Sequence, residues 1–296
     1  MSCVMCIPVH ESQESVINHI ENIRKYAPSC SAVVLHISGD SPDSFFSYIE
    51  NECLKKYDGY VYIHPKRYKT HKSGEAGNVT GLTTVWCDCF RQISQKIKFD
   101  HFIMLTSNEL FVRRGLEEGI KNFSCQYPVV NPPWISNRVR NLAERGQKNI
   151  WEESLKKVGC VWPEFGVCEG SFFHYEVFKT CADIILDILN KEGIETDRIA
   201  HQEYIFPTII FNKYPELYNS IIPETFVHGP KDYDPYAPII PEKEILDVKN
   251  GKYKYRYVVK RVPRDINHPT RRYINDLNAK DVFDMPSDFY NHPSIS

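Results

Sequence analysis

The chain has 296 residues with 36 Lys and Arg against 38 Asp and Glu, a net charge of −2, and is 42% apolar and 25% charged. That balance excludes a disordered chain, a collagen-like fibre and a strongly basic nucleic-acid coat, and the length can bury a sizeable core. No apolar run reaches the roughly 18 residues of a membrane span. Met1-Ser2-Cys3-Val4-Met5-Cys6 also lacks the charged n-region of a signal peptide, so a soluble, cytoplasmic protein is expected.

The elements read in order as follows. Cys3 to Val9 is a short apolar strand, and Ser15 to Tyr26 has apolar residues at helical spacing. Ala32 to Ile37 is a second strand, closed by the turn Ser38-Gly39-Asp40-Ser41-Pro42. An amphipathic helix over Phe45 to Tyr57 leads to a third strand at Tyr60 to His64. Leu82 to Ile97 reads as a helix, and Phe102 to Leu105 as a buried strand ending at Thr106-Ser107-Asn108-Glu109. From Asn131 to about Lys157 the chain reads as charged and loop-rich. The next helix spans Glu176 to Glu192 with Gly193 as its stop, followed by an apolar helix or mixed segment at Glu203 to Phe211. Strands alternating with helices imply an α/β fold with a mostly parallel sheet, in which ligands bind beyond the strands' carboxyl ends. This draws attention to His10, Ser38 to Asp40, His64 and Ser107 to Glu109.

Ten cysteines spread over a chain of this length, with no export signal, read as reduced, buried thiols. Cys3-Val4-Met5-Cys6 lies inside a strand and has no second pair at zinc-site spacing. Between Gly251 and Arg272 eight basic residues face Asp265 alone, a local +7 that leaves −9 for the remainder. Tyr253, Tyr255 and Tyr257 alternate there with Lys252, Lys254 and Arg256, as in an amphipathic strand. Three uses stay open for this segment: a solvated face, a phosphate grip, or nucleic-acid binding.

Four ordered blocks, spanning about residues 4 to 212, resemble family 14 of the GT-A glycosyltransferases, the branching β-1,6-N-acetylglucosaminyltransferases and peptide O-xylosyltransferases. They are Val9-His10 with Leu35-His36-Ile37-Ser38, the strand Asp100 to Glu109, Gly170-Ser171-Phe172-Phe173, and Ala200 to Thr208. The chain departs from the family pattern at Ser38, where the family has Asp (Asp40 follows two residues on). It departs again at Glu109, in place of a strand-end aspartate, and at Gln202-Glu203, in place of Asp-Glu. The resemblance implies a GT-A fold over 1–230, with an extension at 231–296 closing on the donor. Trimmed soluble forms of this kind resemble transferases of bacteria or large DNA viruses, which for a virus would mean the host cytoplasm.

The implied activity is inverting transfer of xylose or N-acetylglucosamine from a UDP-sugar to a glycan or glycoprotein hydroxyl, with no nucleic-acid partner. Glu203 is the expected general base; the residues alone equally allow a first-turn carboxylate that stabilises its helix. The donor is expected to touch His10, Asp40, Ser107, Asn108 and Glu109, with Lys260, Arg261 and Arg264 on the diphosphate, since Arg presents paired donors matched to phosphate oxygens. Trp134, Trp162, Glu169 and Phe173 are the acceptor-side candidates, aromatic faces being suited to sugar rings. No metal cofactor is required on this reading. The arrangement that would hold Mn2+ or Mg2+ is Glu109 with His228, and Asp232-Tyr233-Asp234 reads as a turn. A non-catalytic sugar- or nucleotide-binding relative, or a nucleic-acid-binding protein using the basic tail, are the competing readings.

Overall fold

The computed structural model describes residues 1–10, 12–70, 81–126, 148–161, 166, 170–195, 202–217, 224–226 and 239–277. The expected boundary near residue 230 falls outside them.

Strand β1 (Cys3–Val9) is buried at every position, as an apolar run covered on both faces must be. Helix α1 (Gln13–Tyr26) follows, started by the Ser12 side chain accepting from Ser15 N and finished with Arg24 and Lys25 against the dipole. Strand β2 (Cys30–Ile37) then runs parallel to β1. The expected helix at 45–57 is present as α2 (Asp43–Tyr48), a π turn at Ile49–Cys53 and α3 (Leu54–Lys56). Strand β3 (Val61–Ile63) and helix α4 (Leu82–Ser94) lead to β4 (His101–Met104), which returns beside β1 in parallel.

Three short elements that sequence periodicity does not show come next: β5 (Glu109–Phe111), α5 (Leu116–Ile120) and β6 (Cys125–Gln126). The stretch expected to be loop-rich contains α6 (Lys148–Lys157), whose Trp151 is fully buried in the core. Strand β7 (Phe172–His174) pairs antiparallel to β4. Helix α7 (Tyr175–Lys191) buries Val177, Phe178, Cys181, Ile185 and Ile188, and Gly193 takes a φ of 63° just past its end. Helix α8 (Gln202–Lys213), strand β8 (Thr225–Phe226), helix α9 (Glu242–Lys249), strand β9 (Val258–Lys260) and helix α10 (Pro269–Asp276) complete the described chain.

The main sheet has the order β3-β2-β1-β4-β7-β6, parallel except at β7 and β6. Helices α4, α7 and α8 cover one face through Trp86, Phe90, Phe178 and Phe206, while α1 and α5 cover the other with Val16, Ile20 and Leu116. This is the expected α/β architecture with a mostly parallel central sheet flanked by helices. A second sheet, β5-β9-β8, packs Phe111 and Val258 into the α1-side core. The amphipathic strand expected at 252–257 is absent; the strand is Val258–Lys260, and Tyr257 is buried in the core.

The C-terminal segment is anchored by Arg271, which is fully buried. Its guanidinium donates to Asn18 Oδ1 (2.6 Å), the Pro263 carbonyl (2.8 Å) and the Ser15 carbonyl (3.2 Å). Ser15 Oγ in turn donates to the Arg264 carbonyl at 2.8 Å. A buried cation held by three acceptors is costly to truncate, because the acceptors are left dry and unpaired. Arg271→Ala should lower the unfolding free energy by about 3 kcal/mol, read from the urea midpoint at unchanged slope. A loss of a few tenths would mean that the segment is held elsewhere.

Candidate functional site

Three parallel strands place their carboxyl ends on one edge. His10, half-buried, follows β1, and Ser38 N donates to the Val9 carbonyl at 3.0 Å, so the ends of β1 and β2 are tied together. The turn after β2 is clamped onto the segment after β3. Ser38 Oγ accepts from Asp40 N (3.3 Å) and Thr70 N (3.2 Å), and Gly39 N donates to the Tyr68 carbonyl at 2.8 Å. A Cβ on Gly39 would lie 2.7 Å from the Arg67 carbonyl oxygen, so only glycine permits this approach. Arg67 closes the clamp by binding Asp43 (2.5 Å), the Ser38 carbonyl (3.3 Å) and the Ser41 carbonyl. Asp40 is left exposed at the crest of the turn.

Beneath it lies a polar cluster that local sequence patterns do not reveal. His36 is fully buried and its Nε2 accepts from Tyr68 N at 2.9 Å, so Nδ1 carries the proton. Burial, then the neighbouring His64 ring, pulls its pKa down to about 3. His36 is therefore a neutral core residue whose Nε2 is satisfied by backbone, while Nδ1 is buried with no hydrogen-bond partner among the described residues. His64 Nε2 lies 3.3 Å from Asp88 Oδ2, Tyr68 Oη donates to the same oxygen at 2.7 Å, and Arg91 holds Oδ1 at 2.5 Å. Burial by itself would raise the Asp88 pKa; hydrogen bonds from His64, Tyr68 and Arg91 outweigh it and hold the carboxylate well below its usual range. Beside this cluster, Lys66, Tyr68, Arg91 and the α7 residues Asp183 and Asp187 line a cavity of about 600 Å³. None of the sequence-predicted site residues lines it.

At the end of β4 the chain turns sharply. Thr106 N donates to Glu109 Oε2 at 2.6 Å and Thr106 Oγ1 to Asn108 Oδ1 at 3.1 Å. Glu109 is fully buried, which corrects the expectation of a donor-facing carboxylate: it holds the Ser107-Asn108 turn from within. Antiparallel pairing of β5 with β9 sets Lys260 opposite Glu109, and Val262 N donates to the Asn108 carbonyl at 3.1 Å. Residues about 150 positions apart thus meet at the strand end. Arg261 has a φ of 72°, the sole left-handed backbone at a non-glycine among the described residues, while Arg264 is exposed. Two other basic residues of the tail point inward. Arg271 is the anchor described above, and burial brings Arg256 down to about 10 beside the fully buried Glu224. Burial also pushes the Glu224 carboxyl well above the usual range, only partly countered by Arg256.

Glu203, half-buried, lies in the first turn of α8. Pro207 sits inside that helix and has no N–H to return to the carbonyl four residues earlier, which is that of Glu203. Gly166 N supplies the missing donor at 2.8 Å. Gly170, four residues on, donates its N–H to the Met104 carbonyl at 3.1 Å. Four residues reach at most about 14 Å, so the start of α8 is tethered close to the carboxyl end of β4. Helix α8 belongs to the α7-side core, whereas β9 packs Val258 into the α1-side core.

Phe173 is buried against Phe178 and Phe206, centroids 5.2 and 5.9 Å away, which makes it a core residue in place of the expected acceptor platform. Trp134, Trp162, Glu169, His228, Asp232 and Asp234 lie outside the described residues. Among the described residues no group of three or more His, Cys, Asp or Glu is arranged to hold a metal ion, and no helix is long and apolar enough to cross a membrane.

No family model and no curated protein matches the sequence. Solved structures do match. An active-site mutant of LgtC aligns over 98% of this chain and 99% of its own, at 9% identity and a TM-score of 0.46. Mannosyltransferase PcManGT from Pyrobaculum calidifontis, in complex with GDP-Man and Mn2+, aligns over 55% of this chain at 14% identity and a TM-score of 0.31. The chain spans about half the length of that enzyme, 47%. The mannosyltransferase Ktr4p from S. cerevisiae aligns over 71% of this chain and 65% of its own, at 9% identity and a TM-score of 0.34.

The His36 environment predicts a pH dependence. Its folded pKa of about 3 lies below the unfolded value near 6.5, so below about pH 6.5 only the unfolded chain takes the proton. Stability from this group is complete above that pH and is lost as pH falls toward 3. Between pH 6 and 4 the unfolding free energy should fall about 1.4 kcal/mol per pH unit more steeply than in His36→Gln, measured by urea titration at each pH. Parallel profiles would mean that His36 accepts a proton in place.

Proposed function

We propose that the chain is an inverting glycosyltransferase that moves a sugar from UDP to a hydroxyl of a glycan or glycoprotein, with xylose or N-acetylglucosamine as the sugar. The observation that carries the reading is the convergence at the carboxyl end of β4. The first turn of α8, which carries Glu203, is tethered near it through the Glu203 carbonyl on Gly166, and the basic strand end Lys260-Arg261 is paired beside it on β5. Exposed Asp40 and half-buried His10 and Asn108 line the adjoining strand ends.

In this reading His10 and Asp40 face the nucleoside, Ser107 and Asn108 border the diphosphate, and Lys260, Arg261 and Arg264 bind its oxygens. The Glu203 carboxylate takes the proton of the acceptor hydroxyl as that oxygen attacks the anomeric carbon. The bond from the anomeric carbon to the β-phosphate oxygen breaks on the opposite side, and its electron pair leaves with UDP. The basic cluster stabilises the charge that grows there. Glu109 acts on the site through the turn it holds. Cations in this position do for the leaving group what a divalent metal would, so the reaction is expected to run without one. The left-handed backbone at Arg261 supports this use, since such strain is kept where the fold has a reason to hold one side chain in place.

Two experiments test the reading. Glu203→Gln should lower turnover at least about 100-fold while UDP affinity stays that of the native chain. Calorimetric titration of UDP, UDP-xylose and UDP-N-acetylglucosamine should give micromolar binding in EDTA. Binding only with Mn2+ would overturn the metal-free reading, and no binding under either condition would overturn the transferase reading. Arg261→Gly separates backbone from side chain. It should be about 1 kcal/mol more stable than Arg261→Ala, because glycine adopts positive φ freely, while both variants weaken UDP binding alike. Equal UDP affinity in the native chain and both variants would remove Arg261 from the donor site.

A further inference from the structure

Nine of the ten cysteines are among the described residues, all buried and none in a disulfide. Two of them lie on neighbouring strands. Cys3 opens β1 and Cys30 opens β2, and the two are register partners just before a bulge that shifts the next pair to Val4 and Ala32. Both belong to the same core cluster, so their side chains point to the same face of the sheet. Adjacent strands lie about 4.8 Å apart, inside the Cα separation of roughly 4.4–6.8 Å that a disulfide spans. The Cys30 Sγ lies 3.2 Å from the Ala32 carbonyl oxygen of its own strand and 3.7 Å from that of Cys3. The formal C-x-x-C partner, Cys6, faces away into the other core cluster.

Cys30 also borders a cavity of about 440 Å³ at the amino-terminal edge of the sheet, the end opposite the candidate donor site. Arg24 and Lys56 stand in its wall, each over the Tyr57 ring at 5.5 and 4.9 Å, with Asp58 and Tyr60 beside them. Glu21 pairs with Lys56 at 3.0 Å, so the wall carries both signs of charge. A small electrophile that enters this cavity meets the Cys30 thiol in its wall, and the second thiol on the neighbouring strand can resolve the product.

We propose that Cys30 and Cys3 form an oxidisable thiol pair, in which Cys30 reacts with a hydroperoxide entering through this cavity and Cys3 closes the disulfide. In the first step the Cys30 thiolate attacks a peroxide oxygen. The S–O bond forms, the O–O bond breaks, and the departing oxygen leaves as water or an alcohol after taking up a proton. In the second step Cys3 sulfur attacks the sulfenic sulfur. The S–S bond forms, the S–O bond breaks, and the hydroxyl leaves as water with the Cys3 proton. Two thiols lose two electrons and the peroxide gains them. The neighbouring Cys30 thiol and then burial hold Cys3 well above the usual thiol range, so Cys3 is not the thiol that attacks first. The bridge closes a 27-residue separation across β1, α1 and the start of β2.

The test is a non-reducing peptide map of the full native chain. The protein is exposed to a small excess of hydrogen peroxide, then unfolded and alkylated. A peptide joining Cys3 to Cys30, lighter by two hydrogens, is expected before any other link, together with a rise of several degrees in Tm that dithiothreitol reverses. In Cys3→Ser, dimedone should trap a sulfenic acid at Cys30. Full alkylation of both thiols after peroxide would overturn the proposal. So would earlier linkage of any other pair of thiols. The map of the native chain decides the matter even where the serine variant does not fold. Because the pair lies away from the donor edge, UDP binding reports separately on the transferase reading.

Discussion

The insertion of β9 between β5 and β8 is the constraint on which the rest of the candidate site depends. Val258 and Val259 pair on both sides, Lys260 pairs with Glu109 of β5, and together they bring a segment from late in the chain against the turn that follows β4. Without that pairing the turn at Ser107-Asn108 would have no basic residue opposite it, and Val262 N could not reach the Asn108 carbonyl. The strand is short and could not hold itself. Its position is secured by the Arg271 anchor on α1 and by the cluster of Leu110, Val112, Ile245, Val248, Val259 and Ile274. Apolar burial supplies most of the holding energy, while the buried guanidinium fixes the direction in which the tail runs.

Charge in the tail is divided by the same packing. Seen in the sequence, eight basic residues form one block. In the structure Arg256 and Arg271 are drawn inward and Lys252 pairs with Asp247 at 2.7 Å. Lys260, Arg261 and Arg264 remain at the strand-end edge. The distinction is one of solvation: a buried guanidinium is retained only where acceptors surround it, as at Arg271.

The site is assembled by small backbone events more than by large motifs. Pro207 releases one carbonyl and Gly166 takes it up, Gly39 admits the Arg67 carbonyl, and Arg261 bends into the left-handed region. Each brings together segments distant in the chain, and each holds a candidate side chain at the carboxyl edge of the sheet. The opposite edge has a different chemistry, with paired thiols at the starts of β1 and β2 and a cavity beside them.

The strands and helices of the first hundred residues and the long helix α7 were legible in the sequence, because their apolar spacing is strong and local. Ser12 before α1 and Gly193 after α7 mark boundaries by side-chain and backbone preferences that need no partner. The short strands β5, β6, β8 and β9 carry too few residues for any period to register, and only pairing defines them. For the same reason the sequence could nominate Glu109 and Phe173 as site residues but could not show that both are buried. Their roles depend on what packs over them, from elements up to 150 residues away. His36, His64, Tyr68 and Asp88 lie on three separate segments, and no spacing rule connects them. What the sequence determined by itself was the α/β class, and with it a sheet whose parallel strands share one carboxyl edge, since the class follows from local periodicity. Which side chains reach that edge was decided by the tertiary structure, because burial and register are properties of contacts between distant segments.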